Sequence, residues 1–320
     1  CPAWVFAQGS EPVQLPEVEV TAPRVPLAGT VDQDGFTAGV LSAEGARTLS
    51  GPANTNVFRA LDTLPSVNLT TTDAYGLTVD QNFLRVRGFS GYTYSNLAMN
   101  IEGTPSSVSA GQGAVGNLFD LENVEGVRML HGAMPANTGF GLGNLAAEVN
   151  MQLRGPEDAP GAELSVGAGS EDFSRRFIRL DSGRFGPGTA LFASYSDAAN
   201  DKWRGPGEHR REAVNLGVSQ PLGDAANLQI YAAHTRFRRD EFRALTSAEK
   251  DDYKEHYDDD YNAELTGVAT EDANYYGYNT QHFEEDNIIA VLDWQASDTL
   301  SFQFRPYWLT TNGMRYVGKT

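Results

Sequence analysis

From residue 156 onward the sequence alternates apolar and polar positions with a period of two, and that limits the chain to strands with two unlike faces. Leu164, Val166 and Ala168 oppose Glu163, Ser165 and Gly167, and Val214, Leu216 and Val218 oppose Asn215, Gly217 and Ser219. Ile288, Ala290, Leu292 and Trp294 oppose Ile289, Val291, Asp293 and Gln295, and Leu300, Phe302, Phe304 and Trp308 oppose Ser301, Gln303 and Arg305. About seven such strands fit, near the ten or so residues of a tilted membrane strand. Their connections alternate as well: 183–188, 221–227 and 296–299 are short, whereas 197–211 and 238–283 are long and polar. Short turns at one end and long loops at the other suit a transmembrane barrel. A secreted β-sandwich adhesin or binding protein is the alternative of another class, with no reason to alternate its connections. Tyr195, Trp294 and Trp308 near strand ends favour the barrel, because aromatic rings settle at membrane interfaces.

Composition narrows the function. Lys and Arg total 24 against 42 Asp and Glu, for a formal net charge of -18, which argues against nucleic acid as a partner. Mean hydropathy is -0.39, and no apolar run approaches the roughly 18 residues of a spanning helix. A barrel stays open, since each strand hides its apolar half by alternation. The only cysteine is Cys1, and residues 1–7 resemble the tail of a secretory signal peptide with Ala7 at the cleavage point.

Residues 8–50 are rich in Pro, Gly and small polar residues and suggest an extended arm. Within it Glu17, Val18, Glu19, Val20 and Thr21 alternate between Pro16 and Pro23, a strand-capable stretch suited to pairing with a partner's sheet edge. Residues 51–155 suggest a compact α/β unit. Val57, Ala60, Leu61 and Leu64 carry helical spacing after Asn54, with Pro65 as a stop. Short strands are expected at 83–87, 97–101, 127–130 and 149–153.

Four motifs in order then resemble the TonB-dependent outer-membrane receptors. Arg85-Val86-Arg87-Gly88-Phe89 is similar to their apolar-Arg-Gly-Phe plug motif, and Asn100-Ile101-Glu102-Gly103-Thr104-Pro105 to the motif written Asp-Gly-Val-Pro. The stretch 122–132 resembles the acidic-strand-Leu-Arg-Gly-Pro segment, and 139–150 the glycine-rich closing run. His131, Ala133 and 144–147 depart from those patterns at the plug apex.

The resemblance implies an α+β plug domain (51–155) followed by antiparallel transmembrane β-barrel strands (156–320), with the TonB box at 17–22. An eight-stranded lumen is filled by its own side chains, so a plug of this size needs a barrel of about 22 strands. The strands here would be its incomplete first part. The implied function is active import of a scarce ligand, most readily a ferric siderophore, with vitamin B12, a sugar or a metal as alternatives. The implied partners are the periplasmic domain of TonB, outer-membrane lipid and the ligand; the receptor would act as a monomer in the outer membrane of a Gram-negative bacterium. Arg85, Arg87 and Arg128 with Glu102, Glu122 and Glu125 become candidates for ionic locks between plug and wall, against ordinary pairing inside the plug. Tyr92, Tyr94, Ser106 and Gln112 become candidates for ligand contact. No cofactor is implied.

The stretch 246–261 is separate. Thr246 with Glu249 fits a capping box, and His256 with Asp258, Asp259 and Asp260 offers ligands for a cation, though without the spacing of a calcium loop. A solvated outer loop is expected. No catalytic triad, phosphate loop or zinc cluster is recognisable, so an enzyme is not expected.

Overall fold

The computed structural model of the protein describes residues 27–33, 36–71, 73–77, 84–90, 97–106, 118–131 and 146–318. The stretches expected as a signal-peptide tail (1–7) and as a TonB box (Glu17 to Thr21), and the expected ligand contacts Tyr92, Tyr94 and Gln112, lie outside these residues.

The first layer is built from short strands: β1 (Ala28–Gln33), β2 (Phe36–Ser42), β3 (Val67–Leu69), β4 (Leu84–Val86), β5 (Phe89–Ser90), β6 (Leu97–Ile101), β7 (Thr104–Pro105), β8 (Val124–His131) and β9 (Ala147–Leu153). Six of them form one sheet in the order β1-β2-β8-β9-β6-β7, and β3, β4 and β5 form a second. All pairs in the larger sheet are antiparallel except β6 with β9. Two helices, α1 (Ala43–Leu49) and α2 (Phe58–Leu61), accompany them. Ser42 caps α1, its Oγ accepting from the Gly45 N–H at 3.0 Å.

Two expectations change here. Residues 28–33 and 36–49 belong to the globular unit instead of the arm: β2 pairs with β8, and Leu41 and Ala46 are buried in its core. The stretch is rich in Gly and Ala, which resembles a linker in composition but allows close packing. The expected helix from Val57 to Leu64 shrinks to four residues. Its face is right, since Val57, Ala60, Leu61 and Leu64 are all buried. Pro65 disfavours helical backbone at Leu64, and the chain tightens into three-residue bonds from Thr63 to Ala60 and Leu64 to Leu61.

The second layer is a meander of β10 (Pro160–Ala168), β11 (Ser174–Ser182), β12 (Ala190–Asp201), β13 (Glu208–Pro221), β14 (Ala226–Asp240), β15 (Thr280–Ser297), β16 (Leu300–Phe304) and β17 (Tyr307–Arg315). Each of β10 to β15 pairs antiparallel with the next. β16 and β17 lie one after the other along the same edge of β15, separated at Arg305 and Pro306. Proline has no N–H to give the ladder, and the break falls there. Eight strands thus occupy seven positions of the sheet, matching the pattern read from the sequence.

The polarity of this sheet is inverted relative to a water-soluble protein. On one face Leu164 and Val166 are each 74% exposed, and Leu180, Leu216, Ile288 and Trp308 are also exposed. On the other face Arg175, Arg179, Arg211, Asn215 and Asn287 are buried against the first layer. A sandwich would bury the apolar face against a second sheet, so that alternative falls. Connections at 183–189, 222–225 and 298–299 lie at one end, and 169–173, 202–207 and the long 241–279 at the other. Two loops are shorter than expected because β12, β13, β14 and β15 run into them. Among the described residues no helix is long and apolar enough to cross a membrane.

Candidate functional site

The stretch Leu118-Phe119-Asp120-Leu121-Glu122-Asn123 enters β8 through a turn of 3-10 helix at Leu121–Asn123. Leu118, Phe119 and Leu121 point into the plug core, while Asp120, Glu122 and Asn123 meet the wall, and all six are buried. Arg175 of β11 forks onto Glu122, with Nη1 to Oε1 at 2.7 Å and Nη2 to Oε2 at 2.9 Å. Arg211 of β13 donates from Nη1 to Asp120 Oδ1 at 2.7 Å, and Ser196 of β12 donates from Oγ to the same carboxylate at 2.9 Å. Arg179 donates to Asn123 Oδ1 at 2.9 Å, pairs with Asp181 and lies 3.9 Å over the Phe192 ring. Asn123 in turn donates to Ser194 and Asn215, and Asn215 donates to the Leu118 carbonyl.

Three wall strands are therefore tied to one turn of the plug by a charge-balanced, buried network. Burial pushes the Glu122 carboxyl above the ordinary glutamate range, with the Arg175 guanidinium pulling the other way. Taking both charges out of water offsets most of their attraction, so such a pair contributes little net stability while intact. Removing one partner is different, because the other is left charged, buried and alone.

Of the six expected lock residues, Glu122 makes a direct ion pair with the wall. Glu102 sits at positive φ (50°) in the turn between β6 and β7 and accepts from the Leu153 N–H. Arg305 of the wall packs on the adjacent Gly103, and its charge acts on Glu102. Arg85, Arg87 and Glu125 are exposed and, like half-buried Arg128, make no ion pair among the described residues. Their pairing with one another is not found: Arg85 lies on the exposed face of β4 and Glu125 at the bulge where β8 shifts register against β9. Ser106, expected as a ligand contact, is turned into the plug among the described residues. It is buried, and its Oγ donates to the Met99 carbonyl at 2.8 Å inside the plug.

Asp120, Asn123 and the wall arginines escaped sequence reasoning. The signal was present: in β11, Arg175, Phe177, Arg179 and Asp181 occupy the face opposite Ile178 and Leu180. Charged residues on the face turned from the apolar one must meet whatever fills the sheet's concave side.

A second feature lies toward the long-loop end, where plug and wall enclose a cleft of about 440 Å³. Tyr75 of the plug stacks on Phe173 at 4.1 Å between ring centres and bonds Ser170 at 2.7 Å. This approach needs Gly169, since a Cβ there would stand 2.6 Å from the Tyr75 hydroxyl. Trp203, Phe242, Asn200 and His209 line the cleft. Among the described residues, Asn200 Oδ1 and both ring nitrogens of His209 are buried without a hydrogen-bond partner.

The long loop above it is folded. Asp260, 1% exposed at its side chain, pairs with Lys202 at 2.8 Å and accepts from the Arg243 and Tyr261 N–H groups. Burial lowers the Lys202 ammonium below its ordinary range, against the pull of Asp260. Thr246 and Glu249 form the expected capping box. Glu249, His256 and Asp259 cluster as a cation site would, but Arg243 bridges Glu249 and Asp259 and supplies the positive charge itself. The solvated loop expected at 246–261 is thus corrected at Asp260, which is buried against Lys202, Arg204 and Gly205 of the 202–207 connection.

The TonB-dependent Receptor Plug Domain profile matches residues 37–144. No curated protein matches the sequence. Among solved structures, the ferric-catecholate import receptor Fiu of E. coli K12 in its open form aligns at 17% identity with a TM-score of 0.62, over 88% of this chain and 40% of Fiu. The ferric yersiniabactin uptake receptor FyuA of Yersinia pestis aligns at 15% identity and 0.64, over 90% of this chain and 42% of FyuA. The siderophore receptor PiuA of Acinetobacter baumannii aligns at 17% and 0.61, over 87% and 36%. The chain therefore spans well under half the length of these receptors, and what it shares with them is the fold. Residues 37–144 thus match the plug domain of TonB-dependent receptors, and the antiparallel wall sheet folded against them has the fold of those receptors.

Proposed function

We propose that this chain is the plug and opening wall of an outer-membrane importer for a ferric siderophore, driven by TonB. The observation that carries the reading is the buried network of Asp120 and Glu122 with Arg175 and Arg211 between plug and wall. An interface held by apolar packing would resist separation in proportion to its area. An interface held by paired charges has a different profile: its pairs break even when formed, and separated charges regain their hydration if water follows. The plug's own apolar core stays intact meanwhile. Such a joint suits a plug that must shift as a unit without unfolding.

Ligand would enter from the long-loop end and settle in the cleft between Tyr75, Trp203 and Phe242. On the opposite side, residues 17–21 would join a sheet edge of TonB through main-chain hydrogen bonds. The outer membrane sustains no gradient of its own, so the work must arrive through that contact.

The test is growth under iron limitation of cells lacking the full-length gene, with single ferric siderophores supplied and Val20→Pro as a second variant. Proline in the arm removes a ladder N–H and should block pairing while leaving the folded domains alone. One siderophore should fail to support both the deletion and Val20→Pro strains. Growth indifferent to both across all siderophores would remove the iron reading and leave vitamin B12, a sugar or a metal.

A further inference from the structure

The cleft beneath the long loop holds hydrogen-bonding capacity that the protein does not use. Asn200 is 6% exposed; its Nδ2 donates to the Asp201 carbonyl at 2.8 Å, which fixes the amide and leaves Oδ1 as an unmatched acceptor. His209 is 1% exposed, with neither ring nitrogen partnered among the described residues. A neutral imidazole carries one donor and one acceptor, so the cleft presents two acceptors and one donor. A buried polar atom left unmatched is costly, and a group that recurs in a cleft wall in that state points to a bound partner.

Charge limits what that partner is. Asp73, Glu171 and Asp201 line the cleft against Arg59 and Lys202, and Lys202 is already paired with Asp260. The loop overhead, 241–279, carries eleven acidic residues and three Lys or Arg. An approach lined by one sign of charge focuses the field and repels ions of that sign. A chelate whose surface is all anionic oxygen would meet repulsion and would also leave both acceptors unmatched.

We infer that the cleft binds an uncharged or cationic ferric chelate bearing hydroxyl or amide N–H groups, with His209 and Asn200 as its specificity-determining contacts. The inference rests on the import reading above. Amide or hydroxyl hydrogens of the chelate donate to Asn200 Oδ1 and one His209 nitrogen, the other nitrogen donates to a chelate carbonyl, and Trp203 and Phe242 cover the apolar linkers.

Tryptophan-fluorescence titration of the purified full-length receptor in detergent tests this with two probes. These are the ferric complex of desferrioxamine B, a cationic trihydroxamate with amide groups, and the trianionic ferric tris-catecholate complex. The trihydroxamate should bind at least about tenfold more tightly. His209→Phe and Asn200→Leu should each weaken it by about tenfold, while His209→Gln, which keeps a donor and an acceptor, should restore most of the affinity. The exposed pair Glu171→Gln with Asp201→Asn, which leaves the buried wall untouched, should narrow the gap between the probes. Equal or tighter binding of the tris-catecholate, or affinity unmoved by His209→Phe and Asn200→Leu, would overturn the assignment and leave import standing. Binding of neither probe by the wild-type receptor would overturn it too, and growth unaffected by the deletion would then show that import had failed with it.

Discussion

Plug and wall solve opposite problems with one chain. The plug buries Phe58, Leu61, Leu84, Ile101 and Val149 in the ordinary way, apolar side inward. The wall turns its apolar residues outward, with Leu164, Val166 and Leu216 exposed, and lines its inner face with Arg175, Arg179 and Arg211. Between them lies a layer of matched charges and amides, beside an apolar patch where Phe192, Tyr231, Ile289 and Val291 of the wall join the plug core. Packing density sets the plug's stability, and the charged part of the joint can be specific without being strong.

That contrast can be broken, most severely at the joint itself. Glu122→Ala strands Arg175 and should cost about 3–5 kcal/mol, whereas Glu122→Leu with Arg175→Met together should cost far less. Chemical denaturation of the refolded receptor would show the difference; equal losses would mean that the pair acts as glue and not as a joint. In the plug, Leu61→Ala opens a cavity at a fully buried site, and a loss of about 2–5 kcal/mol is expected by the same measurement. On the wall, Leu216→Ala should be nearly silent, but Leu216→Arg should cost roughly 2–4 kcal/mol in bilayers if that position faces hydrocarbon. Tolerance of the arginine in lipid vesicles would place Leu216 outside the apolar band.

Smaller effects belong to the loop. Thr246→Ala removes the cap of the helix at Ser247–Asp251 and should cost about 1 kcal/mol of local stability, visible as faster amide exchange there. His256 donates toward Asp259 at 2.7 Å, and that hydrogen bond raises its pKa above the ordinary 6.5. A raised histidine stabilises the loop fully below the ordinary value, and the contribution fades as pH climbs through the raised one. An NMR titration should give a His256 midpoint above 6.5 that drops toward it in Asp259→Asn; an unmoved midpoint would detach His256 from Asp259.

The four plug motifs and the period-two alternation already contained the plug domain and both layers, because turn glycines and face alternation are local chemistry. Glu122 was legible as a candidate for pairing because it sits in a motif. Its partner was not, since Arg175 is 53 residues away and only the fold brings them together. The motifs likewise carried no facing direction for Arg85, Arg87 and Glu125, whose side chains are exposed.

By itself the sequence determined what depends on neighbours along the chain: the alternating faces of β11 to β15, the capping box at Thr246, the buried stripe of Val57, Ala60, Leu61 and Leu64, and the turn at Glu102 and Gly103. Tertiary structure alone decided that 28–33 and 36–49 complete the plug sheet, that three wall arginines converge on Asp120, Glu122 and Asn123, and that Asn200 Oδ1 and the His209 ring nitrogens share one cleft without a hydrogen-bond partner among the described residues. These are juxtapositions of distant residues. Burial and charge pairing are settled by the register of strands against one another, which no local pattern encodes.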